Sequence, residues 1–75
     1  MSIQDYVIRL RSGLWEIWLG NQLVSGQPTE MSALQVTHAL AHAAAFRGQP
    51  SRIFVDQVDG RTIEFPTIGS ARRRA

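Results

Sequence analysis

At 75 residues the chain has room for one domain with a single hydrophobic core, and a domain of this size buries about 60–65% of its surface on folding. The absence of cysteine excludes a disulfide framework and a thiolate metal site, and it leaves the redox compartment open. No apolar run approaches the roughly 20 residues of a membrane-spanning helix, and the N-terminus lacks the pattern of a signal peptide. We therefore expect no membrane partner and, by default, a cytoplasmic protein.

The net charge of +2 is unevenly distributed along the chain. All eight basic residues are arginines, and three of them are Arg72, Arg73 and Arg74. Without these three, five positive residues stand against six acidic ones, so the body of the chain is close to neutral. We expect a single domain over residues 1–69 and a disordered basic tail over residues 70–75, because the tail has nothing to bury.

The first 19 residues predict a β-hairpin. Apolar and polar residues alternate from Ile3 to Leu10 and again from Trp15 to Leu19. A two-residue turn at Ser12-Gly13 puts six large apolar side chains on one face, in pairs: Leu10 with Trp15, Ile8 with Ile17, and Tyr6 with Leu19. A second tight turn at Gly20-Asn21 leads to a short third strand over Gln22–Ser25.

The segment from Thr29 to Gly48 predicts the long helix of the chain. Thr29 follows a proline and can cap the first free amides, and Glu30 places a carboxylate where the helix dipole favours it. Gly48 can adopt the left-handed stop conformation, and Pro50 prevents continuation. About 18 residues give roughly 27 Å of helix.

The helix has two distinct faces. One face is expected to cover the sheet: Ala33, Val36, Thr37, Leu40 and Ala44, flanked by Leu34 and Ala41. The opposite face carries six residues that we call the helix strip: Met31, Gln35, His38, Ala39, His42 and Phe46. No residue between Glu30 and Arg47 carries a formal charge at neutral pH, which is unusual for the exposed side of a helix.

A second hairpin is predicted over residues 52–66. A two-residue turn at Asp59-Gly60 mixes polar and apolar residues on each face. A three-residue loop, Val58-Asp59-Gly60 with a left-handed glycine, instead pairs Val55 with Ile63 and Ile53 with Phe65 on one side. We prefer the second arrangement.

These elements predict an α+β fold with a single antiparallel sheet and one helix packed on one face, in the order β-β-(β)-α-β-β, where the parentheses mark the short third strand. The strand order is left open. The closing hairpin either joins the sheet beside the first strand or pairs with a partner chain.

The pattern of residues 5–69 resembles a family of short, uncharacterised bacterial proteins classed as a domain of unknown function. The resemblance is carried by four short motifs and by the threonine-capped, alanine-rich helix: Tyr6-Val7-Ile8, Trp15-Glu16-Ile17, Asp59-Gly60-Arg61 and Ile68-Gly69. It implies the hairpin–helix–hairpin fold. The family has no established activity, so the resemblance transfers no functional residues.

Few residues of the chain form a pattern typical of a catalytic site, a metal site or a phosphate-binding loop. His38 and His42 have the spacing of half a metal site, but no carboxylate or third histidine lies nearby in the sequence. The serines lie at turns and at the helix start without a recognisable base, and the glycines form no phosphate loop. We therefore expect a non-catalytic protein with no metal site and no cofactor.

Two interaction hypotheses remain. The first is a homodimer formed through the helix strip, or less favourably through the sheet face that carries Trp18 and Phe54. The second is a nucleic-acid accessory protein, in which aromatic rings stack bases and arginines attract phosphate. Its candidate contacts are Arg9, Arg11, Trp18, Phe54, Arg72, Arg73 and Arg74.

Overall fold

The computed structural model describes residues 3–65, which form one five-stranded sheet with a helix on one face. The elements in chain order are β1 (Gln4–Arg11), β2 (Leu14–Leu19), β3 (Gln22–Gln27), α1 (Glu30–Phe46), β4 (Ser51–Asp56) and β5 (Thr62–Phe65). The strands lie side by side in the order β3-β2-β1-β4-β5. The predicted α+β class is confirmed. The predictions for residues 66–75, including the basic tail, lie outside the described residues.

The first hairpin has the predicted register. Tyr6 lies opposite Leu19, Ile8 opposite Ile17, and Leu10 opposite Trp15. The tight turn requires two residues with positive φ, and Ser12 and Gly13 have φ angles of 52° and 82°. The turn therefore fixes which side chains face the helix.

The prediction of a purely antiparallel sheet is wrong for one pair of strands. β4 runs parallel to β1, with Tyr6 opposite Ile53 and Ile8 opposite Val55. The helix carries the chain from the β3 edge back across the sheet, so the strand that follows it enters beside β1 in the same direction. The closing hairpin thus joins beside the first strand, which is one of the two arrangements that the sequence left open.

The third strand is longer than predicted and contains an irregularity. It extends to Gln27, and its pairing with β2 shifts between the Trp18–Leu23 and Ile17–Ser25 pairs. Val24 is the extra residue at this bulge. Leu23 lies opposite Trp18 before the bulge and shares its face, and the shift directs Ser25 instead of Val24 to the helix side.

Helix α1 begins and ends as its sequence predicts. The Thr29 hydroxyl oxygen accepts a hydrogen bond from the Ser32 amide at 3.0 Å, which satisfies one of the free amides of the first turn. At the other end Gly48 has a φ of 76°, and its amide donates to the Ala45 carbonyl at 3.0 Å.

The core lies between α1 and the sheet. The helix contributes mainly small side chains, with Ala33, Thr37, Ala41 and Ala44 buried, so its backbone lies close to the strands. The Thr37 hydroxyl donates to the Ala33 carbonyl at 2.7 Å and is therefore satisfied. The largest fully buried apolar side chains come from the sheet: Ile8, Ile17, Ile53 and Val55. Burying each of them contributes about 1.5–3 kcal/mol.

The second hairpin has the preferred three-residue loop. Val55 lies opposite Ile63 and Ile53 opposite Phe65. Gly60 has a φ of 92°, as the left-handed position of this loop requires. Ile63 is 45% exposed, because α1 does not extend over the edge strand β5.

Replacing Val55 with aspartate is expected to unfold the domain. The side chain is fully buried, and an unpaired carboxylate there costs several kcal/mol, which approaches the whole stability of a small domain. Phe54→Asp, on the opposite and partly exposed face, is the control and should leave the domain folded. Thermal melting followed by circular dichroism compares the two variants. Equal destabilisation by both would contradict the assigned faces of β4.

Candidate interaction surfaces

The helix strip lies on the solvent side of α1. Gln35, His38, Ala39 and His42 are exposed, and the two ends of the strip are the most exposed large apolar residues of the helix. Met31 is 65% exposed and Phe46 is 82% exposed. The structure thus leaves these side chains uncovered, on the side of α1 opposite the sheet.

The two histidines form no metal site with the described residues. Among residues 3–65 no group of three or more histidine, cysteine or acidic side chains is placed to hold an ion. The His42 ring instead packs edge-on against the Phe46 ring, with centroids 5.0 Å apart and an interplanar angle of 87°. This contact joins the two residues at the C-terminal end of the strip.

The second surface is the sheet face opposite α1, which we call the outer sheet face. Four apolar residues lie side by side across it, one from each of four neighbouring strands: Leu23, Trp18, Val7 and Phe54. The last three are only partly buried, and Leu23 is 49% exposed. The predicted turn at Gly20-Asn21 already sets Leu23 opposite Trp18, but sequence analysis did not include Leu23 among the candidate contacts.

Ionic contacts flank this apolar row on the β4 side. Arg52 donates to both carboxylate oxygens of Asp5, at 2.8 and 2.9 Å, and its guanidinium lies 5.5 Å from the centre of the Phe54 ring. The hydrogen bond with Asp5 and its negative charge raise the pKa of Arg52 above its usual range. This pair was not predicted, since it depends on the parallel pairing of β1 with β4.

Trp18 has a different environment. Its indole nitrogen donates to Glu16 at 3.0 Å, and the Arg9 guanidinium lies 6.0 Å from the ring centre. Arg9 lies opposite Glu16 in the register of the first hairpin. Its ion pair, however, is with Asp56, at the long distance of 3.8 Å.

A shallow open groove of about 300 Å³ lies beside Trp18. It is lined by Arg9, Arg11 and Trp18 and by the Gly20-Asn21 turn. Of the predicted nucleic-acid contacts, the structure thus brings Arg9, Arg11 and Trp18 together. It places Phe54 two strands away from Trp18, beyond Val7. Arg72, Arg73 and Arg74 lie outside the described residues.

Comparisons with protein-family models, with curated proteins and with solved structures find no match to this chain. The resemblance to the bacterial family stays a prediction. No helix within residues 3–65 has the length and apolar character needed to cross a membrane.

Replacing Asp5 with asparagine is expected to lower the melting temperature slightly, and by more at low salt than at high salt. The Asp5 and Arg52 side chains are 41% and 45% exposed, so their attraction is screened by water and ions. We expect a decrease on the order of a few degrees or less in dilute buffer and a smaller one in 1 M NaCl. An equally large decrease at both salt concentrations would show that the contact is structural rather than ionic.

Proposed function

We propose that this protein is a non-catalytic interaction module that associates with a second copy of itself through the helix strip. The observation that supports it most is the composition of the exposed side of α1. That side carries no charged residue from Met31 to Phe46, and it exposes a large apolar side chain at each end. An uncharged strip with apolar ends is better covered than left in water.

The order of residues along the strip supports a two-fold arrangement. The six residues form three pairs, and the members of each pair are equally far from the midpoint between His38 and Ala39: Met31 with Phe46, Gln35 with His42, and His38 with Ala39. A two-fold axis through that midpoint, perpendicular to the helix, places each residue opposite the other member of its pair on the second copy. The strip is therefore self-complementary when the two helices run antiparallel.

The two side chains of each pair can also make a favourable contact across the dimer interface. Met31 of one copy lies against Phe46 of the other, and thioether sulfur packs favourably on aromatic rings. A glutamine amide opposite a neutral imidazole can donate or accept a hydrogen bond. Ala39 opposite His38 leaves room at the centre for two helices to approach closely. Helices crossing at about 20° keep all three pairs in register along the strip.

The size of the strip predicts a weak dimer. The 17 residues of α1 give about 25 Å of helix, and one face of a helix is roughly 10 Å wide. Stable complexes bury about 800 Å² on each partner, which is more than one helix face of this size supplies. We expect a dimer that dissociates on dilution rather than an obligate one.

The outer sheet face is the less suitable surface for a second copy. Its apolar row is bordered by charged side chains, which form the close Arg52–Asp5 pair and the long Arg9–Asp56 contact. Burying these ion pairs against another copy costs desolvation energy that the neutral helix strip avoids.

Nucleic-acid binding is the second candidate function, and the groove beside Trp18 favours it. Two guanidinium groups and an indole line the same open groove. Single strands are bound by this combination of positive charge and aromatic stacking.

Ala39→Arg is expected to abolish the dimer. The substitution adds a long side chain at the closest approach of the helices and brings two like charges together there. Gln22→Arg adds the same charge at an exposed residue of β3 and is the matched control. Sedimentation equilibrium at several concentrations measures both variants. A monomeric parent chain, or equal dimerisation of the two variants, would contradict the helix-strip interface.

The dimer is also expected to weaken as pH falls from 7.5 to 5.5. The two copies together bring four imidazole groups to the strip, and each imidazole that takes up a proton becomes positively charged. Protonation adds like charges to the contact, and no acidic residue of α1 between Met31 and Phe46 offsets them. Sedimentation of His38→Gln/His42→Gln is the control, because its dimer should not respond to pH. An equal response of the parent and this variant would exclude the histidines as the cause.

A further inference from the structure

Arg9 and Arg11 form a pair of like charges that is incompletely balanced. They are two residues apart on the same face of β1, which places their backbones about 6.6 Å apart. Arg9 has only the 3.8 Å contact with Asp56, and Arg11 forms no ion pair with any residue from 3 to 65. Two adjacent guanidinium groups, of which Arg11 has no ion pair with these residues, attract an anion.

Two carboxylates, Glu16 and Asp56, lie near this pair, and each also accepts a hydrogen bond from a neutral group, which leaves its negative charge in place. Glu16 lies opposite Arg9, but its Oε1 accepts the hydrogen bond from the Trp18 indole. Asp56 also accepts a hydrogen bond from the Thr62 hydroxyl at 2.8 Å. Among the described residues, those that line the groove include no carboxylate. The lining itself is therefore positively charged.

The groove also offers a flat apolar surface. The Trp18 indole lies beside the two arginines in the groove. The Arg9 guanidinium lies near the indole ring, and a guanidinium can stack on an aromatic base in the same way. At the far wall, Gly20 has a φ of 60°, and a Cβ placed there would meet nothing within 4 Å. The neighbouring Asn21 supplies an amide, a group that hydrogen-bonds base edges.

The Phe54 side of the same sheet face lacks these properties. Arg52 is held by both oxygens of Asp5 and lies over the Phe54 ring, so that charge is neutralised and that ring is partly covered. Within the described part of the outer sheet face both rings are partly buried and each has a guanidinium near it, so the difference between the two sides lies in the charge. Arg52 is paired with Asp5 at 2.8 Å, whereas Arg11 in the groove beside Trp18 forms no ion pair with the described residues.

We propose that this groove binds one nucleoside phosphate, with the base on Trp18 and the phosphate between Arg9 and Arg11. The volume of about 300 Å³ is at the lower end of the range for small-ligand sites. The nucleotide belongs either to a single strand or to a free mononucleotide. This inference rests on the second candidate function, nucleic-acid binding, and assigns the contact to the Trp18 side of the outer sheet face. It is independent of self-association, because α1 lies on the opposite face of the sheet.

The test uses the full ¹⁵N-labelled chain, titrated with an eight-nucleotide thymidine oligomer and separately with thymidine monophosphate in low salt. NMR follows the indole N–H signals of both tryptophans. We expect the Trp18 signal to shift and the Trp15 signal to stay, because Trp15 lies on the helix side of the sheet. A response to both probes indicates a mononucleotide site, and a response to the oligomer alone indicates a single-strand site.

Arg11→Gln and Arg47→Gln are matched variants that each remove one exposed arginine. Arg11→Gln should reduce the slope of log affinity against log salt for the oligomer by about 0.7, the value for one phosphate contact on a single strand. Arg47→Gln, at the end of α1, should leave that slope unchanged. Trp18→Ala should weaken binding by about five-fold or more, and circular dichroism checks that it is folded.

Two results would overturn the proposal in different ways. Equal weakening by Arg11→Gln and Arg47→Gln, with no shift of the Trp18 signal, would show nucleic-acid binding without this groove. The absence of any binding of either probe in low salt would reject both the groove and the second candidate function.

Discussion

The parallel pairing of β1 with β4 determines where both candidate surfaces lie. It places Ile53 and Val55 beside Tyr6 and Ile8, and these residues together form the apolar face of the sheet on which α1 packs. The same register brings Arg52 to Asp5 on the other face and positions Phe54 next to Val7. Without this pairing the helix would cover only three strands, and the outer sheet face would end at β1.

The hairpins and the helix were predictable because their signals are local. Alternating apolar residues around Ser12-Gly13 fix one register, and the left-handed position of Gly60 fixes the other. The Thr29 cap and the Gly48 stop likewise depend on neighbouring residues only. For each hairpin a wrong register would turn apolar side chains outward, so the alternative registers differ strongly in free energy.

The features that sequence analysis missed depend on contacts between distant segments. The alternation of apolar and polar residues shows which residues of β4 face the core. A strand alternates in the same way beside a parallel and beside an antiparallel neighbour, so the pattern does not reveal the direction of β4. The Asp5–Arg52 pair follows from that direction, and the facing of Ser25 toward the helix follows from a bulge that no turn residue indicates. The groove beside Trp18 is a different case: the predicted hairpin register already placed Arg9, Arg11 and Trp18 on one face, but a backbone register does not show that side chains and the Gly20-Asn21 turn enclose a groove.

The central claim is that the helix strip of one copy contacts the same strip of another in an antiparallel arrangement. Isotope-filtered NMR on an equal mixture of ¹³C-labelled and unlabelled chains tests it most directly, at a concentration where the protein is dimeric. The account predicts contacts between copies from the Met31 methyl group to the Phe46 ring, since these side chains are equally far from the midpoint of the strip. Contacts between copies from Trp18 or Phe54 instead, with none from Met31, would contradict it.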